Sequence, residues 1–324
     1  MKIAKIAAWI FFAAAQAFAQ ESASGSFNDI DFVEFGFSRK KTEYVIGENS
    51  QSVTAKRRIF PFRLNRYETT YNLWYKVRLW AEENGYVFAN PGQEGSNGSR
   101  GKPATQVSCY EPVTNINWYD AVVWCNAFSE MDGKEPCYFY NGQVLKDATD
   151  TASCDLAECA WENNGYRLPT ETEWEYAARK TSSGLQSGAL ASGQVDASGK
   201  DDASVPVAEV AWYFENSSGT KRVGTAGTPF SESAPPSPSS GNPNGAGIFD
   251  MSGNVIEFCW DWESPYEAGD LSKRYAGHKY GAERVMRGGS WNEYTLFVSA
   301  GDRYSYDPNE AYNFFGFRIA SSGK

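Results

Sequence analysis

The chain has 324 residues, a formal charge of −10 and 15% aromatic residues. An acidic chain of this kind repels phosphate backbones, which excludes a nucleic-acid partner. His278 is the single histidine and no Cys-x-x-Cys pair occurs, so zinc-finger spacings are excluded as well.

In chain order, the first feature is a processing signal. Lys2 and Lys5 form a basic start, Ile6–Ala15 is apolar, and Ala17-Phe18-Ala19 fits a cleavage site. A signal peptide is therefore expected over 1–19, with a mature chain from Gln20 and a charge of −12 once Lys2 and Lys5 leave. No Cys follows the site for lipid attachment, and no later apolar run is long enough to predict a transmembrane segment. The expected product is exported, either periplasmic or on the cell surface.

Three amphipathic helices follow. Thr69 or Thr70 caps one that runs to Asn84, with Leu73, Trp74, Val77 and Trp80 on one face and Gly85 as its stop. Asn117 caps Trp118–Glu130, closed by Gly133. Pro169 and Thr170 open the third, where Thr170 and Glu173 form a capping box and Trp174, Ala177 and Ala178 face inward. The six cysteines permit up to 15 disulfide connectivities. Cys125 reads as a buried thiol, and Cys154 with Cys159 is the best local pair. The stretch 182–245 is rich in Ser, Gly, Ala and Pro and reads as long surface loops, apart from a more apolar part at 205–214. Long alternating strands are few, so an α+β fold with much coil is expected.

Several phrases occur in a fixed order. They are FRLNRYETTYNLWY at 62–75, PVTNINWYDA at 112–121, GYRLPTETEWEYAA at 165–178, GIFDMSGNVIEFCWDW at 247–262, VMRGGSW at 285–291 and GFRI at 316–319. The series resembles the formylglycine-generating enzyme family, also called the sulfatase-modifying-factor domain, from Ile59 to Ala320. The resemblance implies a C-type-lectin-like α+β fold with much irregular loop structure. It divides the mature chain into an N-terminal extension with the first strands, 20–58, and one domain, 59–324. Arg287 and Arg318 are expected to pair with buried core carboxylates.

The family's oxidising members carry two copper-binding cysteines after the GGS phrase, and here Glu293 and Val298 stand in the matching places. A carboxylate and an aliphatic side chain offer copper(I) no soft ligand. Related iron enzymes need three histidines. Neither copper nor iron is therefore expected. Glu257, Asp261 and Glu263 cluster in one phrase, but no nucleophile-elbow motif accompanies them and catalysis is not expected. The family binds structural calcium at the phrase 250–257, and the carry-over selects Asp250, Gly253, Val255 and Glu257. Hard oxygen ligands around a glycine turn suit calcium, while a metal-free turn held by internal hydrogen bonds is an equal alternative.

Between the RGGSW and GFR anchors lies a block of aromatic and small polar residues, a composition that suits recognition surfaces. Anchors around such a block resemble the variable proteins of diversity-generating retroelements, the treponemal one above all. The resemblance implies a non-catalytic, exported ligand-binding protein with a diversified region at 287–318. The expected contact surface is Glu293, Tyr294, Leu296, Phe297, Val298, Asp302, Tyr304, Tyr306, Asp307, Tyr312, Asn313 and Phe315, with Phe297, Phe314 and Phe315 set apart as core candidates. The partner would be a protein or host-surface molecule, and a monomer is the working expectation. A divergent thiol oxidase or a sugar-binding lectin is the alternative.

Overall fold

The structure is a computed structural model that describes residues 27–38, 41–48 and 53–323. The expected signal peptide lies outside the described residues. No helix among them is long and apolar enough to cross a membrane.

Helix α1 spans Tyr71–Glu83 and is capped by Thr70, whose hydroxyl accepts a hydrogen bond from Leu73 N. Helix α2 spans Trp118–Met131 and starts in a capping box between Asn117 and Asp120. A short helix α3, Thr151–Asp155, was not anticipated. Helix α4 spans Glu171–Arg179, with the Thr170–Glu173 capping box in place. Each cap satisfies amide hydrogens that a helix start otherwise leaves unpaired.

The strands are β1 Phe32–Phe35, β2 Thr42–Ile46, β3 Ala55–Ile59, β4 Phe62–Asn65, β5 Gln93–Glu94, β6 Val113–Thr114, β7 Tyr138–Tyr140, β8 Gln143–Val144, β9 Glu158–Cys159, β10 Tyr166–Arg167, β11 Ile256–Trp262, β12 Arg284–Arg287, β13 Arg303–Tyr306, β14 Phe315–Gly316 and β15 Ala320–Ser322. Two four-stranded sheets organise them, ordered β1-β4-β15-β10 and β13-β12-β11-β14. Strand β1, which sequence assigns to the extension, pairs antiparallel with β4 inside the first sheet. Strand β14 runs parallel to β11 at the edge of the second.

Helices α1 and α2 pack together through stacked Trp74 and Trp124, ring centroids 5.8 Å apart, with Phe317 edge-on to both. The Arg284 guanidinium lies between the rings of Trp118 and Trp262, 3.6 and 3.4 Å from their centroids. No carboxylate forms an ion pair with it among the described residues, and burial pulls its pKa down to about 9.

Helix α4 is buried on every face, which exceeds the inward stripe of Trp174, Ala177 and Ala178 that sequence predicts. Its three glutamates each meet arginine. Glu171 pairs with Arg303, Glu173 with Arg167 and Arg274, and Glu175 with Arg179 and Arg287. Its last carbonyls are met by the stretch expected to be surface loop. Asn244 Nδ2 donates to Ala177 O, Ser192 Oγ to Ala178 O and Gln186 N to Arg179 O. Parts of 182–245 are thus buried, because a buried helix end needs polar partners that only such residues supply.

All six cysteines are free. The expected Cys154–Cys159 pair is absent. Cys154 sits on α3 with its thiol directed at Asp147 O, 3.5 Å away, whereas Cys159 lies on β9 opposite Tyr138. Cys125 is fully buried in α2, as expected of a structural thiol.

Asp261 Oδ2 accepts from Glu171 N at the start of α4, and its Oδ1 has no partner among the described residues. Burial and the neighbouring Glu171 carboxylate push its pKa up to about 7. A carboxyl raised in the folded state contributes stability at low pH that is lost as pH rises through 7. Asp261→Asn retains an acceptor for Glu171 N without the charge. Its stability gain over wild type should be larger at pH 8 than at pH 5 by on the order of 2 kcal/mol in urea titrations. An equal gain at both pH values would contradict the assignment.

Candidate functional site

The C-terminal segment is built on the β12–β13 pair, where Arg284 opposes Tyr306 and Arg287 opposes Arg303. The 288–302 loop leaves and returns at this register. Gly288 (φ +99°) and Gly289 (φ +66°) begin it in the left-handed region. A Cβ on Gly288 would lie 3.1 Å from the Trp174 ring, and one on Gly289 would strike Phe297 O, so both approaches require glycine.

Arg287 closes the loop base. Its Nη1 donates to Gly301 O at 2.9 Å and to Asp302 O, while Nη2 binds Glu175. Further pins are the Ser290–Glu293 hydrogen bond, Ser299 N to Asp302 Oδ2 at 3.0 Å and Tyr304 OH to Phe297 O at 2.7 Å. The second loop, 307–314, is held by Trp118 N to Pro308 O, Asn115 N to Tyr312 O and Trp291 Nε1 to Asn313 O.

On this frame, Tyr294, Leu296, Phe297, Asp307 and Tyr312 are exposed, with Leu296 at 82%. Glu293, Asp302, Tyr304, Tyr306 and Asn313 are half-buried. Burial raises the Glu293 carboxyl above the ordinary carboxylate range. Of the expected contact residues, Val298 and Phe315 are fully buried, Phe315 in keeping with its alternative reading as a core residue. Val298 is drawn inward by the close approach of Gly289, and Phe315 packs in β14 against Phe258, Tyr306 and Tyr312. Phe297 faces solvent, as its place among the expected contact residues requires and against its alternative reading as core.

One neighbour escaped the sequence reading. Phe214 is exposed and its ring lies 4.7 Å from that of Tyr294. Its amide donates to Glu293 O at 2.9 Å, and Glu215 accepts from the Thr295 hydroxyl at 3.1 Å. No local pattern could have joined positions so far apart in the chain.

The expected calcium ligands do not fit that role. Both oxygens of Glu257 accept from Arg318, at 2.6 to 3.0 Å, and Oε2 also accepts from Trp174 Nε1 at 2.8 Å. A guanidinium thus occupies the place of a cation. Asp250 accepts from Gly224 N at 2.5 Å, and its other oxygen has no partner among the described residues. Glu68 stands nearby and binds Val255 N and Asn254 Nδ2. Burial, then the crowding of carboxylates, raises Glu68 and pushes Asp250 up to about 6. Among the described residues, no group of three or more His, Cys, Asp or Glu side chains is arranged to hold a metal ion. His278 is a surface residue whose Nε2 lies 3.1 Å from the Glu267 carboxylate.

The sulfatase-modifying factor enzyme 1-like domain model matches residues 18–322. The chain belongs to this family. The match takes in β1 to β3 as well as the later elements. The solved structure of variable protein 1 from Treponema denticola superposes with a TM-score of 0.68 at 27% identity, covering 92% of this chain and 97% of that one. The fold is accordingly the C-type-lectin-like fold of the formylglycine-generating type. A chaperone protein, LppX, from Paenibacillus barcinonensis is 29% identical over 82% of this chain and 79% of its own length. The formylglycine-generating enzyme of Streptomyces coelicolor is 35% identical, but over only 48% of this chain and 47% of the enzyme. The proteins similar to this chain thus include a chaperone, an enzyme and a variable protein.

Proposed function

We propose that this chain is an exported, non-catalytic ligand-binding protein that displays a diversified C-terminal surface, 287–318, on its family scaffold. The observation that carries the reading is the contrast within that segment. Tyr294, Leu296, Phe297, Asp307 and Tyr312 are exposed, while the anchors Arg287 and Arg318 are fully buried and ion-paired. Solvent-facing residues on pinned loops can change without loss of the frame, and aromatic ones supply binding anchors. Likeness to the treponemal variable protein over nearly the whole chain supports the same reading.

The positions of the oxidase cysteines hold Glu293 and Val298. The first is bonded to Ser290 and the second is buried, so neither presents a thiolate to copper. Copper-treated protein should convert no thiol of a cysteine-containing peptide beyond a protein-free control, as read by mass spectrometry. Turnover would overturn the non-catalytic reading.

Sequencing this gene across a cell population should find substitutions concentrated within 287–318, with Arg287, Gly288, Gly289, Gly316 and Arg318 unchanged. An even spread along the gene would remove diversification from the proposal. We further infer that Arg318 closes the 250–257 turn in place of calcium. Adding calcium to EDTA-treated protein should then leave Tm unchanged, whereas a bound ion would raise it with concentration.

A further inference from the structure

We propose that Phe214, outside the changeable segment, is a fixed anchor of the binding surface, and that this surface takes a protein segment presenting Lys or Arg beside an apolar side chain. The inference rests on the binding reading above and extends it to a second element and to the chemistry of the partner.

Four large apolar side chains are exposed on two chain segments that a backbone hydrogen bond joins, and two of them, Phe214 and Tyr294, meet with rings 4.7 Å apart. Phe214 is 49% exposed, Tyr294 54%, Leu296 82% and Phe297 48%. Scattered apolar residues on a surface are ordinary, but a contiguous group contributed by two chain segments marks an interaction site. The 211–217 turn that carries Phe214 is rigid. Trp212 O accepts from Asn254 N at 2.7 Å, and Trp212 Nε1 donates to Thr225 Oγ1 at 3.1 Å. Asn216 clamps the turn, with Oδ1 accepting from Tyr213 N and Nδ2 donating to Ala211 O. A Cβ at Gly253 would strike Trp212 O, so the turn sits directly on the scaffold. Phe214 N to Glu293 O then ties the turn to the C-terminal loop. Changes within 287–318 would leave Phe214 and its support in place. An aromatic held this way loses little entropy on binding.

Charge selects the partner. Segments 211–219 and 290–315 together hold Glu215, Glu293, Asp302, Asp307 and Glu310, and their one basic residue is Arg303. Arg303 is already committed to Glu171 and Glu263 and stacks over Tyr266. Glu215, the neighbour of Phe214 and hydrogen-bonded to Thr295, is exposed and forms no ion pair among the described residues, so the apolar group carries an unanswered negative charge at its edge. A basic residue flanked by an apolar one matches both features, and such complementarity steers association as well as orientation.

The test is selection of a random-peptide phage library on the full mature chain, with Phe214→Ser and Leu296→Ser as comparison proteins. Both side chains are about half or more exposed, so the variants should melt with wild type. Recovered peptides are expected to place Lys or Arg next to Phe, Trp or Leu. Each variant should weaken them about tenfold or more, the scale of losing one interface anchor. Raising salt should weaken them further. Peptides that depend on Leu296 but not on Phe214 would overturn the fixed anchor and leave the C-terminal reading intact. Acidic or uncharged peptides would overturn the partner chemistry. Failure to recover peptides, or peptides indifferent to both substitutions, would sink the C-terminal binding reading and this inference with it.

Discussion

The fully buried pair of Arg318 and Glu257 joins parts of the fold that are otherwise far apart in sequence. Arg318 follows β14 near the chain end, and Glu257 lies in β11. The guanidinium also donates to the carbonyls of Asn65, Arg66 and Phe249, and the carboxylate accepts from Trp174 of α4. One ion pair thereby ties the first sheet, the 250–257 turn, the buried helix and the C-terminal segment. Removing either partner would leave an uncompensated charge in the interior, at a cost of about 3–5 kcal/mol. Replacing both is a different matter, because buried pairs give position more than stability.

The same logic extends along α4. A helix buried all round would normally be apolar, yet this one carries Glu171, Glu173 and Glu175 and meets arginines from four other segments. Arg287 and Arg303 come from the strands that bound the 288–302 loop, so the loop's two ends are fixed to one helix through opposite charges. This divides the C-terminal segment physically. Residues at the base are constrained by electrostatics in a dry environment, whereas the tip is held by neutral or surface hydrogen bonds such as Tyr304 OH to Phe297 O and Thr295 to Glu215, with its large side chains left exposed. Tolerance to substitution follows that division.

Local rules were the legible part. Thr70, Asn117 and Thr170 cap helices where a few neighbouring residues decide the outcome, and all three starts were readable from spacing. The family phrases carried the fold, including the burial of Arg287 and Arg318. What escaped depends on contacts between distant residues. Val298 and Phe297 are adjacent aliphatic and aromatic residues in one loop, and only the approach of Gly289 decides which turns inward. Phe315 looks like its neighbour Phe314 until β14 pairs with β11. Ser192 and Asn244 sit in a polar, low-complexity stretch, and nothing nearby in sequence reveals that they close the end of α4. Glu257 resembled a metal ligand because its partner, Arg318, lies 61 residues away.

Strand β15 occupies an interior place in the first sheet, between β4 and β10. That placement makes the sheet a check on length. A polypeptide released before residue 320 would lack a central strand and, if shorter still, the guanidinium that holds β11. The gap would expose the unpaired edges of β4 and β10 to solvent and to other chains. The C-terminal loops are thus carried on a closed sheet only when residues 320–322 fill the place between β4 and β10.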